Sequence, residues 1–191
     1  MKLKKGFTLV ELLIVIVVIG ILSAMMMLSS NEAVSSAKAA RIINDLRNWR
    51  TAAMAWYIDN LDKVDVNGKI IKADGSKGNF ADSVNIMEIA KYFSNSFTQD
   101  GSNTRFAKDG HGGRYYVDHN TIQGSNAFRW FIGYEMPTND KKLQEKLEAK
   151  AATAAGGLYS KFYNSSLEGP YTSTSHTPRC ICIEVIDFSK K

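Results

Sequence analysis

From Phe7 to Leu28 the chain is apolar almost without interruption, the exceptions being Thr8, Glu11, Gly20 and Ser23. As an α-helix rising about 1.5 Å per residue, this stretch reaches about 33 Å, enough to cross the hydrocarbon core of a bilayer. Glu11 breaks the pattern, because a carboxylate held deep in a membrane costs on the order of 2.5–3.5 kcal/mol and calls for a partner. Beyond it the pattern narrows to a stripe. Ile42, Leu46, Trp49, Ala53 and Trp56 recur at spacings of four and three, with Arg41, Asn44, Asp45, Arg47, Asn48 and Arg50 on other faces. Between the two parts, residues 29–40 are rich in Ala and Ser, which permit close approach between helices. These segments predict one continuous helix to about Asn60, roughly 80 Å long.

After Asn60 the periodicity shifts toward strands and short helices. Lys63 to Val66 and Lys69 to Lys72 predict a hairpin closed by a type I′ turn at Asn67-Gly68. Ser83 is placed to cap a short helix through Tyr92. Arg114 to Val117 predicts a strand before a turn at Asp118-His119-Asn120. Ala127 to Met136 alternates Phe128, Trp130, Ile132, Tyr134 and Met136 on one face. A second helix is expected from Asn139 or Asp140, with Leu143, Leu147 and Ala151 on one side and Gly156-Gly157 as its stop. Arg179 to Phe188 predicts the last strand, and Tyr171 to Thr177 a surface loop. The order of long helix, antiparallel strands and short helices predicts an α+β fold, with a small antiparallel-sheet head domain over 61–191 packed on the second half of the first helix.

The formal charge of +5 falls to +2 if Lys2, Lys4 and Lys5 are removed, so the basicity sits largely at the N-terminus. Lysines before a membrane span predict that residues 1–6 stay cytoplasmic and that the remainder faces outward. A secretory signal peptide fits poorly, because Ala24 has Leu22 two positions before it where a small residue is needed. A plain anchor leaves Glu11 unexplained. A cut at the Gly6/Phe7 junction explains it, since the new α-amine on Phe7 would be cationic and could pair with Glu11 of a neighbouring copy.

Lys4-Lys5-Gly6-Phe7-Thr8-Leu9-Val10-Glu11 followed by Leu12 to Ile16 resembles the cleavage and methylation signal of type IV prepilins and type II secretion pseudopilins. The resemblance covers roughly the first 60 residues. It implies removal of leader residues 1–6 by a prepilin peptidase, N-methylation of Phe7, and pairing of Glu11 with Phe7 of a neighbour to register subunits in a filament. On this reading residues 7–28 form the transmembrane or filament-core helix and 29–60 its amphipathic continuation. The partners would be the peptidase, other copies or related subunits, the pilus or secretion assembly machinery, and the membrane. The head would lie outside the cytoplasm, and after assembly in a periplasmic or cell-surface filament. Many major pilins that the chain resembles carry a proline where it has Leu28, which tilts the reading slightly toward a minor subunit.

The head carries no recognisable catalytic set, and a non-enzymatic subunit is expected. A His-Glu-x-x-His helix and a Gly-x-Ser-x-Gly elbow are missing, and Gly110 to Gly113 lacks the strand, lysine and helix of a phosphate loop. His111, His119 and His176 are read as turn or surface residues. Asp65, Asn67, Gly68 and Asp74 match part of a calcium-loop template, but Lys63 would occupy its first ligand position. A different calcium site would need Asp59, Asp62 or Asp100. No metal and no cofactor is assigned. Cys180 and Cys182 lie about 6.6–6.8 Å apart along a strand, poor geometry for a direct disulfide, and read as an inert thiol pair. Lys141, Lys142, Lys146 and Lys150 form a basic helix edge interrupted by Glu145 and Glu148, and no nucleic-acid partner is predicted. The rival reading is a single-pass membrane-anchored extracytoplasmic enzyme or sensor, with an uncut N-terminus and tolerance of substitution at Gly6.

Overall fold

The computed structural model describes residues 7–93, 97–110, 112–121, 126–137, 140–153, 158–162, 168–170 and 179–190. Its first element is the predicted helix, α1, Leu9–Asp59, 51 residues long and therefore about 77 Å from end to end. The helix ends where Asn60 leaves helical geometry at φ −123° and ψ 30°. The Asn60 side-chain amide caps the end by donating to the Trp56 carbonyl at 2.8 Å. A 3-10 turn, Leu61–Lys63, follows.

The head is a seven-stranded antiparallel sheet covered on one face by helices. Strands β3 (Thr98–Asp100), β4 (Asn103–Lys108), β5 (Arg114–Thr121), β6 (Phe128–Glu135), β7 (Leu158–Phe162), β8 (Glu168–Pro170) and β9 (Arg179–Asp187) lie in the order β3-β4-β5-β6-β9-β7-β8. The stripe of α1 packs on β6 and β9. Alternation on β6 holds as expected, with Phe128, Trp130, Ile132, Tyr134 and Met136 joining Leu46, Trp49, Ala53 and Trp56 in the main core. Helix α4 (Lys141–Thr153) also packs on α1. Its first turn is capped by Asp140 Oδ1, which accepts from the Leu143 amide at 3.0 Å. Leu143, Leu147 and Ala151 are its buried side. Asn139, the Gly156-Gly157 stop and the loop of 171–177 lie outside the described residues.

Three local expectations are corrected. The hairpin does not use a two-residue turn, because Val64 bridges Ile70 and the Asp65 amide bonds the Lys69 carbonyl. The loop is closed instead by Asp65 Oδ1, which accepts from the amides of Asn67 and Lys69 at 2.9 and 2.8 Å. Gly68 sits there at φ +85° with its Cα face against the Phe188 ring, which a Cβ would approach to 2.4 Å. The main partner of β1 (Ile70–Ile71) is β2 (Lys77–Gly78). Ser83 ends the one-turn helix α2 (Phe80–Ser83), and the next helix, α3 (Ile86–Ala90), is capped by Asn85 through the Met87 amide at 2.9 Å. Asp118, His119 and Asn120 are not a turn, since they continue β5 and pair with Phe131, Trp130 and Arg129. Burial of Phe128 and Trp130 rewards the longer strand more than local turn preference opposes it.

Asp45 and the Tyr134 hydroxyl enter the core with hydrogen-bond partners, whereas the Trp49 indole Nε1–H is buried without one among the described residues. Asp45 is buried on the inner side of α1, where its Oδ2 accepts from the Tyr115 hydroxyl at 3.2 Å and lies 3.6 Å from Arg41 Nε. The Tyr134 hydroxyl donates to Asp109 at 2.9 Å. Burial lifts the Asp45 carboxyl above its ordinary range, with the Tyr115 bond and Arg41 opposing it.

Candidate functional site: the N-terminal helix and its first turn

The first turn of α1 is built by a reciprocal cap. Thr8 stands before the helix in extended geometry, φ −79° and ψ 151°, and its Oγ1 accepts from the Glu11 amide at 3.3 Å. The Glu11 carboxylate returns the contact, its Oε2 accepting from both the Thr8 amide and the Thr8 hydroxyl at 2.8 Å. This is a capping box, which satisfies helix-start amides that otherwise need water. Both bonds fall on one oxygen, and Oε1 accepts nothing among the described residues. The carboxylate is thus held in place with half of its acceptor capacity unused.

Sequence reasoning singled out Gly6, Phe7 and Glu11 but missed Thr8. The signal was present as Thr8-Leu9-Val10-Glu11, a Thr-x-x-Glu pattern immediately before an apolar run. Phe7 lies just before the cap with 79% of its surface exposed. Gly6 lies outside the described residues.

Among the described residues nothing covers the helix that follows. Leu9–Met26 is long and apolar enough to cross a membrane, and none of it is buried. Apolar residues face every direction, unlike the one-sided stripe further along.

The other candidates separate into structural roles. Asp65 spends its oxygens on the loop amides and on Lys77 at 3.0 Å, while Asp74 bonds Ser76, so the two do not converge on a shared centre. Asp59 accepts from the Tyr92 hydroxyl, and Asp100 is held by Lys108 and Arg114 at 2.7 and 2.9 Å. Those two cations keep the Asp100 carboxyl below its ordinary range. His119 lies in β5 beside the Phe128 ring, and His111 and His176 are outside the described residues. Among the described residues no three His, Cys, Asp or Glu side chains gather as a metal-binding group. Cys180 and Cys182 are buried, unbridged thiols, and Cys180 packs with Phe106 and Tyr116 on the sheet face away from α1. The α4 lysines are spread between exposed and half-buried positions, and Glu148 beside them is buried.

A capped, uncovered apolar helix whose second half packs on an antiparallel sheet is a pilin-like α+β architecture. The comparisons agree: residues 1–27 match the family described as the prokaryotic N-terminal methylation motif, and the chain is type IV pilin-like. It is also similar to fimbrial protein Q of Moraxella bovis, at 40% identity over 55 residues. That match covers 29% of this chain and spans about a third, 35%, of the relative's length. No solved structure matches the chain.

Proposed function

We propose that the protein is a structural, non-enzymatic subunit of a type IV pilus-like or type II secretion pseudopilus filament. Residues 1–6 act as a cytoplasmic leader cut by a prepilin peptidase after Gly6, and Phe7 is then N-methylated. Residues 7–28 hold the chain in the membrane until assembly, when lipid contact is exchanged for contact with other copies, while 29–60 and the head at 61–191 remain outside the cytoplasm.

The observation that carries this reading is the capping box at the head of a helix whose first half, Leu9–Met26, is uncovered among the described residues. Thr8 fixes the Glu11 carboxylate through one oxygen, so the other can accept from the cationic Phe7 amine of a neighbour. Such a pair removes two charges from an apolar surrounding at once, where leaving either alone costs several kcal/mol.

The test is mass spectrometry of the N-terminal peptide from membranes and from sheared cell-surface material. A peptide beginning at N-methylated Phe7 is expected. Its presence in both fractions supports a surface filament, and confinement to the membrane supports a pseudopilus or rare subunit. A start at Met1 or Lys2 overturns the proposal in favour of a plain anchor bearing an enzyme or sensor domain.

A further inference from the structure

The solvent side of the second half of α1 has two chemically different flanks. At about 100° per residue, Arg47, Arg50, Met54 and Ile58 wind along one flank, while Asn48 and Asp59 wind along the other. All six are exposed, and the stripe of Leu46, Trp49, Ala53 and Trp56 is buried behind them. One flank is basic and apolar. The other carries a cavity.

That cavity, about 230 Å³, lies where α3 packs against α1 and is lined by Trp56, Asn60, Glu88, Lys91 and Tyr92. The Tyr92 hydroxyl donates to Asp59 Oδ2 at 2.5 Å, which joins the Asp59 carboxylate to the rim. Asp59 Oδ1 accepts nothing among the described residues. Two carboxylates therefore border an aromatic-walled cup, with Lys91 as the cation in its lining. This combination suits a guanidinium, whose plane stacks on aromatic rings while its edge bonds carboxylates.

Resting on the assembly proposed above, we infer that this cup receives the Arg47 and Arg50 flank of a second copy of the chain. The two surfaces are different patches of one molecule, so the contact is heterologous and head-to-tail. Such a contact closes into a ring only if successive copies return to one level, and with an axial step between copies it propagates a filament. Arg47 precedes Asp59 by about 18 Å of helix rise, which sets the order of the axial step between the two parallel copies. Glu11 registers the membrane end of the subunit, whereas this contact registers the head end. Met54 and Ile58, exposed beside the arginines at 37% and 60%, are covered by the same approach.

The experiment uses the full-length chain carrying Met54→Cys on the arginine flank and Lys91→Cys in the cup lining, which leave the arginines and both carboxylates in place, with assembled material treated by a short bismaleimide. Native Cys180 and Cys182 are buried and common to every sample. The double variant should yield a ladder of oligomers, the two single variants co-expressed should stop at dimers, and either single variant alone should give neither. In parallel, Arg47→Glu with Arg50→Glu should lower sheared filament protein about tenfold with N-terminal processing unchanged, and adding Glu88→Arg should restore part of it. Assembled protein without the cross-link, cross-linking of one single variant to itself, or normal assembly by the charge-reversed chain overturns this contact alone. A wild-type chain that is never found assembled overturns the filament reading, and this contact with it.

Discussion

The two halves of α1 are continuous in backbone and opposite in finish. In the second half, Leu46 and Trp49 have no exposed surface, and polar residues take the remaining faces. In the first half, Ile14, Ile16 and Ile19 are each more than half exposed, and apolar side chains point all round. A one-sided stripe marks an interface that the chain completes by itself. An all-round apolar surface marks one that only lipid or other chains can complete. The difference separates two kinds of damage, one to folding and one to assembly.

Substitutions can break that separation, and the largest effect is expected at the head of the helix. Glu11→Ala should reduce assembled protein by at least about a hundredfold, the scale of a charge left without its partner in an apolar setting. Insertion, cleavage and the melting temperature of the head should be unchanged. Electron microscopy of sheared material and normal filaments from this variant would remove the register role. Next comes Trp49→Ala, which should destabilise the head by about 3–5 kcal/mol, read by denaturant unfolding of detergent-solubilised protein. Ile16→Ala in the same assay should have no effect on the head, and a matching loss would show that the halves are not independent.

A smaller effect tests the sheet that the second half leans on. A Cβ at Gly133 would fall 2.1 Å from Tyr116 Cζ, so the Tyr116 ring occupies the space above that glycine. Gly133→Val should cost about 1–3 kcal/mol, with Tyr116→Ala in combination recovering part of the overpacking component. The smallest effect concerns pH. Because burial raises the Asp45 carboxyl, the stability it confers is fully present below its unfolded value and is lost as pH rises through the raised one. Asp45→Asn should therefore gain stability over wild type progressively as pH rises above the ordinary carboxylate range of about 4 and through the raised value. Asp65 runs the other way. Burial raises it, but the Lys69 amide, Lys77 and the Asn67 amide prevail, so its contribution is present above the unfolded value and lost on acidification.

Where periodicity was long, the sequence was legible. The stripe from Ile42 to Trp56, the alternation from Phe128 to Met136 and the Leu143, Leu147, Ala151 side of α4 all lie in the core. Short elements were not. Thr98 to Lys108 presents mostly polar residues, and its strands exist because β5 offers a partner edge, with Phe106 opposite Tyr116. The same holds for Leu158–Phe162, recruited by β9 through Leu158 opposite Ile183 and Tyr159 opposite Cys182. At the candidate site, the apolar run, Glu11 and the Thr-x-x-Glu capping pattern were readable, whereas the placing of both Thr8 donors on one carboxylate oxygen is a matter of geometry.

The place of β9 carries a further consequence for the order of events during synthesis. It comes after the other described strands in chain order, yet it lies inside the sheet between β6 and β7 and faces α1 through Ile181, Ile183 and Val185. A growing chain therefore exposes its membrane helix long before the head can close, and the contacts that finish the head span most of the sequence. On the membrane-anchored reading proposed above, delivery to the bilayer precedes folding, and a chain terminated before Arg179 leaves the ribosome with its apolar helix but without the strand that joins the two sides of its sheet.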